Sequence, residues 1–311
     1  MSAVPVVSCV GVTKRFESLT AVDRLDLDIP AGIVFGYLGP NGAGKTTTIR
    51  MIMGLARPTS GSLALFGVDP ASPRNADVRM RVGYLPGELR LDEKLTSGEQ
   101  LEHWARLRGP TSVDATYRDA LVDRLGLALD RPVRTLSTGN RRKVGLVGAF
   151  MSRPELLVLD EPTSGLDPLM QQEFLSMVDE VRAEGRTVLL SSHVLSEVER
   201  LADRVVVLRA GQMVLDGAVP ELQRQALQKL TATFNGAPPV AELEGLAAVT
   251  DVTVDGATVT CRITGPVHPV LDVLARHRVE AITAPQREIE DAFLDLYDTS
   301  GSPEQPNGAD T

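Results

Sequence analysis

Along the first 217 residues, short uninterrupted apolar runs alternate with stretches in which apolar residues recur every three or four positions. Ile33 to Leu38, Val82 to Leu85, Leu156 to Leu159 and Arg186 to Leu190 read as strands, the last two of the kind buried on both faces in parallel sheets. The run ending at Leu38 leads into Ile49, Ile52 and Met53 at helical spacing, while Leu169 to Glu184 and Leu195 to Leu201 give further helices. This predicts an α/β domain. Val4 to Val12 and the period-two run Leu25 to Ile29 read as antiparallel edge strands before the first parallel one, joined by a polar loop carrying Lys14, Arg15 and Phe16. Ser62 to Gly67 adds a short strand, and Arg204 to Leu208 with Met213 to Leu215 a final pair around Ala210-Gly211. Between Thr96 and about Met151 the pattern is helical, with Leu101, Trp104, Ala105 and Leu107 in register after a Ser97 to Gln100 start, then Tyr117 to Leu125 and Asn140 to Met151. His103 and Trp104 read there as packing residues.

After Asp216-Gly217 the pattern resets. Leu230 to Phe234, Val249 to Val254 and Thr258 to Ile263 read as strands with an Asp255-Gly256 hairpin turn, and Val270 to His277 and Ile289 to Tyr297 as helices. The expected division is 1–217 for the α/β domain, 218–298 for a small α+β accessory domain, and 299–311 for a Ser/Pro/Gly/Asn-rich tail expected to be disordered. The accessory segment carries no recognisable chemical constellation; His268 and His277 read as structural or solvated.

One stretch changes the picture from fold to chemistry. Gly39-Pro40-Asn41-Gly42-Ala43-Gly44-Lys45-Thr46-Thr47 fills the G-x-x-x-x-G-K-[ST] pattern between a strand and a helix. The glycines let successive N–H groups turn inward onto phosphate oxygens, the following helix presents its positive end to the same anion, Lys45 reaches the terminal phosphates and the Thr46 hydroxyl ligates Mg²⁺. Asp160-Glu161, at the carboxyl end of a buried strand, stands where open α/β sheets gather active-site groups. Phe16 reads either as a surface or mini-core residue or as an aromatic on which a base stacks.

Composition narrows the class. The chain of 311 residues has 32 Lys+Arg against 41 Asp+Glu, net −9. Residues 220–311 hold 14 acids and 6 bases, which leaves the first 219 with 27 and 26. This argues against nucleic acid as partner, which would need a basic face. No apolar run approaches the ~18 residues that span a bilayer, and no charged region followed by a long apolar stretch marks a secretory signal. Cys9 and Cys261 are solitary, without metal-like spacing, and read as buried or free thiols, which favours the cytoplasm.

Taken together, these motifs resemble the ATP-binding subunits of ABC transporters over roughly the first 217 residues. Leu136-Ser137-Thr138-Gly139-Asn140 is similar to the LSGGQ signature, Asp160-Glu161 to the Walker B end, Ser164-Gly165-Leu166-Asp167 to the D-loop, and His193 to the switch histidine. The resemblance implies a P-loop NTPase cassette with an antiparallel β subdomain and a helical subdomain at about 88–155. It further implies that Phe16 stacks on adenine, that Asp160 holds Mg²⁺ mainly through water, that Glu161 acts as general base, and that His193 bonds the γ-phosphate and the attacking water. Ser137, Thr138, Gly139, Asn140 and Asp167 would meet the ATP held by a second copy, giving a head-to-tail homodimer with two composite sites.

Two departures stand out. Thr138 and Asn140 replace the first glycine and the glutamine of the signature, and Gly87 follows Tyr84-Leu85-Pro86 where the family has its Q-loop glutamine. Either Glu88 or a water is then expected to serve as the missing Mg²⁺ ligand. The resemblance extends to bacterial exporters of the daunorubicin-resistance type. Their membrane part is a separate permease polypeptide, and the cassette lies in the cytoplasm, peripheral on the inner face of the cell membrane. The helical insertion and Gly87 to Leu95 would form the groove for that partner. The alternative is a soluble ATP-gated interaction module not coupled to transport; such modules commonly carry two cassettes or a long coiled coil, and this chain has one phosphate loop and no long heptad run.

Overall fold

The computed structural model describes residues 4–109, 112–225 and 228–284 and divides the chain into two units between Ala218 and Val219. In the first unit β1 (Val7–Phe16), β2 (Leu19–Ile29), β3 (Val34–Leu38) and α1 (Lys45–Ile52) precede β4 (Ser60–Leu65) and β5 (Val82–Leu85). Three helices follow, α2 (Ser97–Arg108), α3 (Ala115–Arg124) and α4 (Thr138–Phe150). The unit closes with β6 (Leu156–Asp160), α5 (Pro168–Ala183), β7 (Thr187–Ser192), α6 (Leu195–Leu201), β8 (Arg204–Arg209) and β9 (Gln212–Ala218).

A six-stranded sheet in the order β5-β6-β7-β3-β8-β9 forms the centre; only β9 runs antiparallel to its neighbour. Every residue of β3, β6 and β7 is buried, as continuous apolar runs require when both faces are covered. The antiparallel sheet β2-β1-β4 packs its apolar face, including Val7, Val12, Leu25 and Ile29, into one core with Phe35, Tyr37, Ile49, Ile52 and Val158. Such full burial is worth about 1.5–3 kcal/mol per large side chain.

The second unit contains α7 (Val219–Gln225), β10 (Gln228–Phe234), α8 (Val240–Glu244), β11 (Val249–Asp255), β12 (Thr258–Ile263), α9 (His268–Arg276) and β13 (Val279–Thr283). Its sheet runs β11-β12-β10-β13, and its own core joins Leu230, Phe234, Val259, Ile263, Val270 and Leu274. Cys261 lies in that core and Cys9 in the first; both are free thiols, and burial pushes the Cys9 thiol up to about 12.

Several boundaries differ from those the pattern predicts. Lys14 to Phe16 lie in β1 rather than in a loop, because register shifts after Cys9 let the strand run past Gly11 to a turn at Glu17. Arg186 falls just before β7, and β13, α7, α8 and a 3₁₀ stretch at Pro73–Arg81 carry too few apolar residues to be visible as periodic segments. The helix expected at Ile289 to Tyr297 and the tail lie outside the described residues. Among the described residues no helix is long and apolar enough to cross a membrane.

Candidate active site

The strand order brings three loops together. β7 lies between β3 and β6, with Ser192 opposite Leu38 and Ser191 opposite Asp160, so the carboxyl ends of all three strands meet at one edge. The glycine loop leaves β3, Glu161 follows β6, and His193 follows β7. The sequence therefore dictates the convergence through topology.

At the loop, Gly39 and Gly44 adopt φ of 151° and 107°. A Cβ on either would lie 2.4 Å from a backbone oxygen, Leu208 O or Ala21 O, so only glycine fits. Residues 40–47 line a cavity of about 560 Å³ together with Phe16, Leu19, Thr20, Ala21, Glu161 and Ala210. Lys45 is nearly buried; its Nζ donates to the carbonyls of Gly39 and Pro40 and lies 3.5 Å from Glu161 Oε1. The other carboxylate oxygen of Glu161 is 2.6 Å from His193 Nδ1. A cation, a carboxylate and an imidazole thus form one chain at the mouth of an amide-lined cradle.

Asp160 is fully buried. Its Oδ1 accepts from the Ser191 hydroxyl at 2.5 Å, while Oδ2 has no hydrogen-bond partner. A buried carboxylate oxygen without a donor is a costly arrangement unless a cation or water meets it, and hard divalent cations take oxygen ligands. With the Thr46 hydroxyl lining the adjacent cavity, the donor set suits Mg²⁺. A Cβ at Gly87 would lie 3.2 Å from this Oδ2, so position 87 faces the orphan oxygen but offers only backbone. The structure does not bring Glu88 there: its side chain is 82% exposed and lies 3.9 Å from Arg90.

Glu161 has φ of 51°, a left-handed conformation costing roughly 1–3 kcal/mol for a non-glycine residue. Two groups that residue patterns do not advertise hold it. Glu161 N–H donates to Ser191 O and Oγ, and its carbonyl accepts from the Arg142 guanidinium. Arg142 betrays itself in sequence only by falling four residues before Leu146 and eight before Phe150, on the buried stripe of α4.

The remaining predicted residues lie elsewhere on the first unit. Ser137 caps α4 by accepting from Asn140 N, and Thr138, Gly139 and Asn140 form its first turn. A Cβ on Gly139 would meet Gly165 O at 2.8 Å, so the signature-like turn packs tightly on the D-loop-like one. Asp167 caps α5 through Met170 N. None of these lines the cavity around Lys45. Phe16 does, 49% exposed, with Lys14 Nζ 4.9 Å from its ring centroid.

A family model described as ABC transporter matches residues 22–164. Over 299 residues the chain is 36% identical to the daunorubicin/doxorubicin resistance ATP-binding protein DrrA of Streptomyces peucetius, covering 92% of this chain and 90% of the relative. The chain belongs to the ATP-binding proteins of the ABC transporter family. The Nod factor export ATP-binding protein I of Burkholderia pseudomallei is 35% identical over 92% of this chain and 94% of its own. Among solved structures, an ATP-binding subunit of an ABC transporter superposes with a TM-score of 0.65 at 29% identity, covering 71% of this chain and 92% of that one. A dimeric bacterial ABC transporter cassette shares the fold at a TM-score of 0.64 and 20% identity, covering 68% and 98%. The ABC ATP-binding fold is thus assigned, and with it ATP as the nucleotide.

Proposed function

We propose that this chain hydrolyses ATP, with Mg²⁺, to drive a membrane exporter whose transmembrane permease is a separate polypeptide. The observation that carries the reading is the Lys45–Glu161–His193 chain at the mouth of the glycine-loop cradle. Lys45 binds the terminal phosphates, Glu161 takes the proton of the attacking water, and His193 holds Glu161 in place and bonds the γ-phosphate. Phe16 supports the base by stacking. Asp160 and Thr46 would hold Mg²⁺, which supplies charge neutralisation of the phosphates.

Two copies close head to tail, so that Ser137 to Asn140 and Asp167 of one complete the site of the other. The exposure of the α4 N-terminus away from the chain's own cradle supports this arrangement. Relatives named for drug resistance and for Nod factor export, matched over nine-tenths of both chains, support an exporter over a soluble module. A cavity of about 330 Å³ lined by Met53, Tyr84, Leu89, Trp104 and Leu107 supports the docking groove for the permease, at the inner face of the membrane. Phosphate release by the purified chain with Mg-ATP tests the enzyme, and co-purification of a membrane protein from the native host tests the coupling. A chain that binds no nucleotide would refute the first part, and a chain that leaves the membrane fraction alone would refute the second.

A further inference from the structure

Arg142 is 4% exposed, on a helix whose other buried residues are apolar. A guanidinium carries five N–H donors in a rigid fork, and here it meets five backbone carbonyls. Nε donates to Pro162 O at 3.2 Å, Nη1 to Pro86 O at 2.7 Å and Gly87 O at 3.2 Å, and Nη2 to Asp160 O at 2.5 Å and to Glu161 O. Three consecutive carbonyls from the last residue of β6 onward and two after β5 are thus gathered by one side chain of α4. No carboxylate oxygen is among its hydrogen-bond partners, although Asp160 and Glu161 lie near enough to support its charge. The left-handed peptide at Glu161 is held from one side by Ser191 and from the other by this fork.

We propose that Arg142 is a positioning residue for hydrolysis, fixing the 160–162 turn so that the Glu161 carboxylate stays between Lys45 and His193, and linking that turn to the 86–87 loop and to α4. The proposal rests on Glu161 being the general base. Without the fork the residue at 161 is free to leave its strained conformation, and the carboxylate swings away from the reacting water. ATP binding, which depends on the glycine loop and Lys45, is kept, and is tightened to the extent that the displaced carboxylate releases Lys45.

The test is steady-state and single-turnover ATP hydrolysis by Arg142→Met, which keeps the volume and removes all five donors, and by Arg142→Lys, which keeps the charge. The expected result is a kcat at least tenfold lower for Arg142→Met with ATP KM no more than about threefold above that of wild type, and an intermediate kcat for Arg142→Lys. In a Glu161→Gln background, Arg142→Met should cause no further loss, because it acts through the residue already removed. A merely structural arginine would instead lower the folded fraction and raise KM together, or add its loss on top of Glu161→Gln; either outcome overturns the proposal. So does an unchanged kcat. If Arg142→Met is insoluble, a wild-type kcat in Arg142→Lys overturns it alone. A wild-type protein that binds ATP without hydrolysing it would sink the ATPase reading instead, a result distinguishable from all of these.

Discussion

On the proposed mechanism, replacing Glu161 by glutamine should separate hydrolysis from binding, because the carboxylate faces both the glycine-loop lysine and the mouth of the cradle where water would attack. Glu161 Oε1 lies 3.5 Å from Lys45 Nζ, with the two side chains 21% and 6% exposed. At an effective dielectric constant near 20 that separation corresponds to about 5 kcal/mol of attraction, an upper bound for a pair with one partner touching water. The lysine must give up part of it to turn toward phosphate. Removing the charge therefore costs the general-base contribution, about 10²–10⁴-fold in kcat, while releasing Lys45 for its ligand. Relief of even about 1.4 kcal/mol would tighten nucleotide binding tenfold. Phosphate release measures the first effect and titration with a fluorescent ATP analogue the second; gel filtration with ATP should also show the variant as a trapped dimer. A kcat loss below tenfold, or affinity falling in step with kcat, would refute the assignment of Glu161 as base.

Lys45→Ala should weaken nucleotide binding at least tenfold, since a charge-assisted hydrogen bond is worth about 1.5–3 kcal/mol; isothermal titration with ATP checks this, and unchanged affinity would contradict the role. Gly87→Gln should lower the Mg²⁺ concentration needed for half-maximal hydrolysis, because a Cβ there sits 3.2 Å from the orphan Asp160 Oδ2 and directs an amide oxygen at the same place; an unchanged Mg²⁺ curve would show that the position is not beside the metal. The Glu180 carboxyl is held below its usual 4.5 by hydrogen bonds from the Arg124 guanidinium. A depressed carboxyl contributes stability above its unfolded pKa and loses it as pH falls, so the melting-temperature gap between wild type and Glu180→Gln should close as pH drops from about 6 to about 3. The pair is exposed and worth no more than about 1 kcal/mol, so the gap at neutral pH is a few degrees at most.

How much of this was legible depends on where each group keeps its information. The glycine loop announces itself because each of its fixed positions answers a local demand: positive φ at Gly39, Gly42 and Gly44, a long cation at Lys45 and a hydroxyl at Thr46. Buried strands were legible as apolar runs, and Asp160, Glu161 and His193 as the polar residues that end them. Hairpin ends were misread where a bulge hides the alternation, as at Gly11 to Phe16. Ser191 and Arg142 were invisible as site residues because their partners are backbone carbonyls, a buried N–H and one carboxylate oxygen, and backbone acceptors carry no residue identity. Gly87 was legible as a gap in a familiar pattern, yet the neighbouring Glu88, at a bend beyond β5, exposes its side chain to solvent.

Arg142 and Ser137 share one rigid element, and that gives the proposed dimer a property a single chain lacks. They stand five positions apart, about 7.5 Å along the axis. Ser137 stands at the exposed N-terminus, where the proposed dimer places a second copy's nucleotide, and Arg142 grips the turn that holds its own chain's Glu161. A displacement of the α4 N-terminus on docking is therefore passed to Glu161 in the same chain, so occupation of one composite site biases the base of the other. The expected consequence is positive cooperativity of hydrolysis in ATP for the wild type, with the Hill coefficient falling toward one in Arg142→Lys, whose ammonium cannot hold five carbonyls at once. The readout is the ATP dependence of steady-state hydrolysis at protein concentrations where the dimer forms. A Hill coefficient unchanged by the substitution would mean that the α4 N-terminus and Arg142 do not communicate, and the fork would then serve only its own chain.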